Sequence, residues 1–222
     1  MSTANGYRIL AAIAAFLAVS GCDVSDGDGS TKVNGSVHIT AGKAAEDART
    51  VNGSIHVDDN ASVNSAGTVN GSVRLGAHAS ASSAKTVNGA ISLGDSAHIS
   101  GGAGTVNGDL TLASNSEVSG SLTNVNGTIN LTAAHVGGGI KTVSGNISIM
   151  GASHVEGGIL VQKPNSTLFN SDDPVIVIGP GAVVQGELRF ERKVKLYVSD
   201  KSTIGTVTGA TPVTFSGDNP PN

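Results

Sequence analysis

Imidazole, carboxylate and thiol groups are the side chains with which this chain could bind a metal, move a proton or form a covalent bond. The sequence supplies six histidines, 17 acidic residues and one cysteine. His38 and His56 hold the same place in a repeated motif, and stacked imidazoles about 5 Å apart could share a metal. The next residues in that column are Arg74, Ser92, Thr111, Asn130 and Ser148, which complete no ligand set. His78, His98, His135 and His154 fall at different or isolated places in their repeats. The acids Asp95, Asp109, Glu117 and Glu156 are also unmatched, so no pair is expected to converge for acid–base work. No glycine-rich phosphate loop carries a lysine, and no motif groups serine, histidine and aspartate. The histidines read as surface residues of a polar ladder. No catalytic residue, metal site or cofactor is expected.

The elements that would have to position any such group are set by the repeat itself. Seven segments align: VNGSVHI (33–39), VNGSIHV (51–57), VNGSVRL (69–75), VNGAISL (87–93), VNGDLTL (106–112), VNGTINL (125–131) and VSGNISI (143–149). The near-constant period, about 18 residues, signals a stacked solenoid rather than a globular core. The turns that open at Val87 and Val106 are each one residue longer than the rest. β-Branched residues alternate with small polar ones, so each unit contains strands. A six-residue rhythm lies within the period, at Val69, Leu75, Ala81, Val87, Leu93 and Ile99, and again at Ile178, Val184, Phe190 and Leu196. Three such segments per turn predict an all-β, triangular parallel β-helix with a short strand on each face. The two longer turns are expected to hold their extra residue as a bulge.

The invariant columns receive structural roles on this reading. Asn34, Asn52, Asn70, Asn88, Asn107 and Asn126 form a ladder of stacked amides. Gly35, Gly53, Gly71, Gly89, Gly108, Gly127 and Gly145 mark a corner where φ is positive or the backbone is crowded. Thr50, Thr68, Thr86, Thr105 and Thr142 lie two residues before the Asn column. If the intervening Val points inward, Thr and Asn face out together as a flat Thr-x-Asn ladder of the kind that can order water, and ice or ligand binding is a remote third reading.

Composition narrows the partners. The net charge is −4 and 14% of residues are charged, which gives no clustered basic face for nucleic acid. No aromatic residue occurs between Leu17 and Leu168, so the long middle offers no stacking platform for bases or sugars. At the N-terminus, Arg8 precedes an apolar run from Ile9 to Val19, too short to cross a bilayer and suited to a secretory signal. The stretch Val19-Ser20-Gly21-Cys22 resembles the bacterial lipobox. That resemblance implies cleavage before Cys22 and acylation of Cys22, palmitate included, as the anchor to a lipid bilayer. With no second Cys there is no internal disulfide. Asp23 weakly favours the inner membrane.

Residues 1–21 are therefore expected to be a lipoprotein signal peptide and 22–32 a flexible tether. Regular coils span 33–161. An irregular excursion, the last coils and a bulkier cap occupy 162–211, and 212–222 form a disordered tail. "VIGPGAVVQGELRFE" and the recurring V-x-G-x-[IVL] pattern resemble bactofilins, the polymer-forming bacterial cytoskeletal proteins. The resemblance implies a right-handed triangular β-helix that polymerises end to end. The periodicity equally suits a left-handed hexapeptide coil, and the right-handed form is favoured. Bactofilins are generally cytoplasmic, whereas this chain carries a lipoprotein signal. The expected function is a non-catalytic, lipid-anchored envelope scaffold that forms dimers or short oligomers through an open Val33 edge, with the C-terminal end guarded by Phe215 and Pro212. The alternative is a protein that binds or modifies envelope polysaccharide through 162–174 and the charged strip Glu187 to Lys195.

Overall fold

A computed structural model describes residues 30–164 and 172–220. The expected signal peptide, Cys22 and most of the tether lie outside the described residues, as do 165–171 and 221–222. Among the described residues there are strands and turns and no helix. The chain is a parallel β-solenoid of ten levels.

The first ladder follows from the simplest pattern in the sequence. Val37–Ile39, Ile55–Val57 and Val73–Leu75 each bury their first and third residues and expose the second. Strands of this kind stack in parallel register, Val37 on Ile55, Ile55 on Val73, Val73 on Ile91 and Ile91 on Leu110. Ten strands continue this sheet as far as Val213–Phe215. Nine steps at the β spacing give a rod about 43 Å long. Each inward aliphatic is covered by its equivalents above and below, and full burial of one contributes roughly 1.5–3 kcal/mol.

The other sheet changes character along the rod. In the early levels it consists of nine-residue strands, Ala44–Asn52, Ser62–Asn70 and Ser80–Asn88. Ala81 pairs with Ile99, whereas Ala84 pairs with Ala103, one residue further along the chain than the same step would reach. The extra residue of the longer turn thus enters between Ile99 and Ala103, and it splits the long strand into His98–Ile99 and Ala103–Asn107. Two separate ladders run on from there, for a total of three. Glycines occupy the new break. A Cβ at Gly101 would lie 2.6 Å from the Ser82 carbonyl oxygen, and one at Gly120 would lie 2.6 Å from that of Gly101. This second glycine corner lies apart from the expected Asn-Gly corner.

The inward positions do not keep a uniform step of six. Leu75, Ala81, Thr86 and Leu93 are all buried, at steps of six, five and seven. The Asn-Gly corner takes seven residues, so counting back by six from Leu93 lands on Val87 and misses Thr86. Thr50, Thr68, Thr86, Thr105 and Thr142 are each 0% exposed, while Val51, Val69, Val87 and Val106 are only half-buried on the outside. This overturns the expected outward Thr-x-Asn ladder: Thr faces the core, and its alternate, Val, faces solvent. The core also thickens along the rod. Ala48, Ala66, Ala84 and Ala103 give way at the same level position to Leu122, Ile140, Ile159 and Leu188.

Both ends differ from expectation. Strand Ser30–Asn34 pairs with Ala48–Asn52, so the solenoid begins within the last residues of the expected tether. Val213–Phe215 pairs with Tyr197–Ser199, so the expected disordered tail opens with the last strand of a sheet. Val37 occupies a core position and is 1% exposed, whereas Val33 beside it is 38% exposed. Across the excursion, Ile147 pairs with Ile176. Its described edges are held: Asn146 Oδ1 accepts the Val175 N–H at 2.8 Å, and Arg192 donates to the carbonyls of Val143 at 3.2 Å and Asp172 at 3.4 Å.

Candidate functional site

At the Asn-Gly corner most polar groups of the motif are spent on the neighbouring level. Asn52 donates from Nδ2 to Asn34 Oδ1 at 3.0 Å, and Asn70, Asn88, Asn107 and Asn126 continue the row at 2.9–3.0 Å. All five bonds point the same way along the rod. The Thr50, Thr68, Thr86 and Thr105 hydroxyls donate to the carbonyls of Gly35, Gly53, Gly71 and Gly89 at 2.8–2.9 Å. Asn124 takes the Thr place one level on and reaches Gly108 O at 2.8 Å. The glycines are required by closeness more than by conformation. A Cβ at Gly53, Gly71, Gly89, Gly108 or Gly127 would overlap the carbonyl of the glycine one level before it, and one at Gly145 would lie 2.6 Å from Thr142 Oγ1. Gly35, Gly108 and Gly127 also hold φ of 110°, 155° and 120°. These columns build the rod, and their bonds run between levels.

The histidines divide into two groups. His38 and His56 are adjacent in register with ring centroids 6.4 Å apart, and His38 Nε2 lies 2.7 Å from Asp58 Oδ2. His98, Glu117, His135 and His154 form one unbroken register column, against the sequence expectation that they are isolated. The step from Glu117 to His135 is one residue shorter than the steps on either side of it, so only an alignment that follows both turn lengths lines them up. His98 Nδ1 lies 3.5 Å from Glu117 Oε2, and the other Glu117 oxygen lies 3.9 Å from His135 Nδ1. His135 Nε2 meets Glu156 Oε1 at 3.0 Å, and its ring packs edge-on against His154 at 5.6 Å. Glu117 and Glu156 therefore do converge, with imidazole between them. His135 bonds one carboxylate through Nε2 and faces another with Nδ1, and among the described residues no three His, Cys, Asp or Glu side chains form a metal site. Exposed ion pairs of this kind contribute about 0–1 kcal/mol each.

A groove of about 480 Å³ lies beside the first ladder. Its wall carries the outward residues His56, Arg74 and Ser92, and its rim carries Asp58, Asp59 and Asp95 from the turns. The floor is low because Gly76 and Gly94 sit where side chains would strike the level before: a Cβ on Gly76 would lie 2.8 Å from Asp59 N. Asp59 Oδ1 accepts the Ala77 N–H at 2.8 Å and is thereby fixed. The groove offers fixed carboxylates, an imidazole, a guanidinium and backbone, which is a hydrogen-bonding inventory without an evident nucleophile. The charged strip between Glu187 and Lys195 lies elsewhere, with Arg189 paired to Glu191 at 3.2 Å and Lys193 to Asp173 at 3.0 Å. No family profile matches this chain, and comparisons with curated proteins and with solved structures gave no match.

Proposed function

We propose that the protein is a non-catalytic scaffold of the bacterial cell envelope, tethered to a membrane through acylated Cys22 and associating with itself through the ends of its rod. One observation carries this reading. Among the described residues the exposed large hydrophobics are Val33, at 38%, and Val213, at 50%, and they lie in the first and last strands of the solenoid. The long sides satisfy their backbone level by level, whereas a terminal strand has an unpaired edge that can template another strand. Among the described residues, exposed apolar surface thus coincides with strand edges that pair with no further strand at both ends, so the C-terminal end is a second candidate interface beside the Val33 edge. The bactofilin-like repeat texture points the same way, and the lipobox-like stretch supplies the tether.

The test uses the full chain in membranes and in detergent. Cys22→Ser should release the protein from the membrane fraction or leave an uncleaved precursor. Light scattering should show dimers or short oligomers that shrink when Val33 and Val213 are both changed to Lys. A wild-type chain that is monomeric at high concentration would exclude self-association. A Cys22→Ser variant that fractionates and migrates as the wild type does would exclude the tether.

A second reading rests on the groove. Its carboxylates, Arg74 and glycine floor suit a polyhydroxylated ligand, which makes envelope polysaccharide the alternative partner. Saturable glycan binding lost on Arg74→Ala would favour it over a pure scaffold.

A further inference from the structure

Six Asn-Gly pairs recur in the coils, and this is the dipeptide in which a backbone nitrogen most readily attacks the preceding side-chain amide, because glycine puts no side chain in the way. We infer that the pair Asn126–Gly127 is a site of self-modification by deamidation, and that the fold shields the other five. The inference is independent of the scaffold reading.

The distinction lies in what each nucleophilic nitrogen is doing. Gly35 N–H donates to Asn52 O at 2.9 Å, Gly53 to Asn70 O at 3.0 Å, Gly71 to Asn88 O at 3.0 Å, Gly89 to Asn107 O at 2.9 Å and Gly108 to Asn126 O at 3.0 Å. Each must break a bond between levels before its nitrogen can turn toward Cγ. Gly127 N–H donates no hydrogen bond among the described residues. The lapse coincides with a change in the chain: one level on, the motif reads Val-Ser-Gly at Val143, Ser144 and Gly145, and strand pairing resumes at Thr128–Thr132.

Asn126 is also the last rung of the amide ladder. Its Nδ2 donates to Asn107 Oδ1 at 3.0 Å, but its own Oδ1 accepts no bond among the described residues, whereas Oδ1 of every earlier rung accepts one. Its carboxamide is held from one side. Gly127 itself sits at φ 120°, half-buried, where water reaches the product. Asn34, at the opposite end, makes an instructive contrast. Its Nδ2 donates no bond among the described residues, yet the Gly35 nitrogen is engaged, so it stays protected.

The step balances with water as the only co-reactant. Gly127 N forms a bond to Asn126 Cγ, the Cγ–Nδ2 bond breaks, and Nδ2 leaves as ammonia with the proton lost from Gly127 N. The resulting succinimide takes up one water and opens to aspartate or isoaspartate. Either product removes the only donor that Asn126 contributes to the ladder and sets a carboxylate against Asn107 Oδ1. Isoaspartate also lengthens the main chain at the tight corner. Modification therefore loosens one defined joint in the rod and leaves the four earlier rungs intact.

The experiment is peptide mapping of the folded full-length chain after incubation at mildly alkaline pH, with all six pairs scored for a gain of one mass unit and for isoaspartate. Asn126 should convert on the order of tenfold or more faster than each of the others, because those need a local opening first. In denaturant the six rates should become comparable. Hydrogen exchange should find the Gly127 amide the least protected of the six. Equal rates in the folded chain, a different leading site, or a Gly127 amide protected like its counterparts would each overturn the inference.

Discussion

The inward Thr column can be tested by exchanging two adjacent residues. Thr86 is 0% exposed, and its hydroxyl donates at 2.8 Å to Gly71 O. Among the described residues, no backbone N–H outside the strand ladders donates to that carbonyl. Thr86→Val keeps the shape and removes the donor. An unsatisfied carbonyl at such a site costs about 1–3 kcal/mol. The methyl that replaces the hydroxyl returns at most about 0.8 kcal/mol. The expected net loss is therefore about 0.2–2.2 kcal/mol, although a more apolar residue has entered the core. Thr86→Ser keeps the bond and should lose only the buried methyl, about 1 kcal/mol. Val87→Thr, on the outer surface, should stay within about 0.5 kcal/mol of wild type. Equilibrium urea unfolding of the full chain, followed by far-UV circular dichroism, gives the shifts as midpoints at constant slope. If Thr86→Val were neutral and Val87→Thr were costly, the alternation of this strand would be reversed and the assignment of the column would fall.

Two further substitutions test the corners. Gly89→Ala would drive its methyl into the Gly71 carbonyl, with Ser72 N of the same earlier level at 3.1 Å, so two levels must separate. A loss of about 1–3 kcal/mol or more is expected in a thermal melt, and an unchanged midpoint would show that the corner yields easily. Ala133 holds a left-handed φ of 48° that glycine adopts without a steric penalty, so Ala133→Gly should stabilise by about 0.5–1 kcal/mol, a rise of about 1–4 °C. The neighbouring Ala134→Gly, at a buried position without a left-handed φ, should lower the midpoint instead.

The period of this chain was legible because stacking makes every level repeat the demands of the last. Val37, Ile55, Val73, Ile91, Leu110, Ile129 and Ile147 share one register line, as their alignment in the sequence implies. The phase around the Asn-Gly corner was not legible. In a strand, a shift of one residue turns every side chain to the other face, and apolar Val87 beside polar Thr86 argues for the wrong choice. The signal that opposes it is Ala84, which lies two residues before Thr86 and must share its face. The His–Glu column was hidden for a different reason. A shorter turn between two longer ones displaces His135 and His154 from any fixed repeat, although the backbone brings them together with Glu117.

The monotony of Thr-Val-Asn-Gly-Ser has a physical cause that period alone does not supply. Thr86 bonds back to Gly71, Asn88 bonds back to Asn70, Gly71 N bonds forward to Asn88 O, and Ser72 Oγ accepts the Ala90 N–H at 3.3 Å. None of these bonds lies within a level. Each residue of the motif is recognised by its own counterpart or a near neighbour of it in the next level, so a change in one copy is felt by two interfaces. Effects of substitutions in adjacent levels should therefore couple, whereas those several levels apart should add. Where a copy departs from the motif, as Asn124 and Ser144 do, the bonds around it are rewired locally. Asn124 still reaches its glycine carbonyl, and at Ser144 the amide ladder stops. The repeat is thus held constant along the chain by contact between levels. Where it lapses, at Ser144, the bond from the preceding glycine nitrogen lapses with it among the described residues.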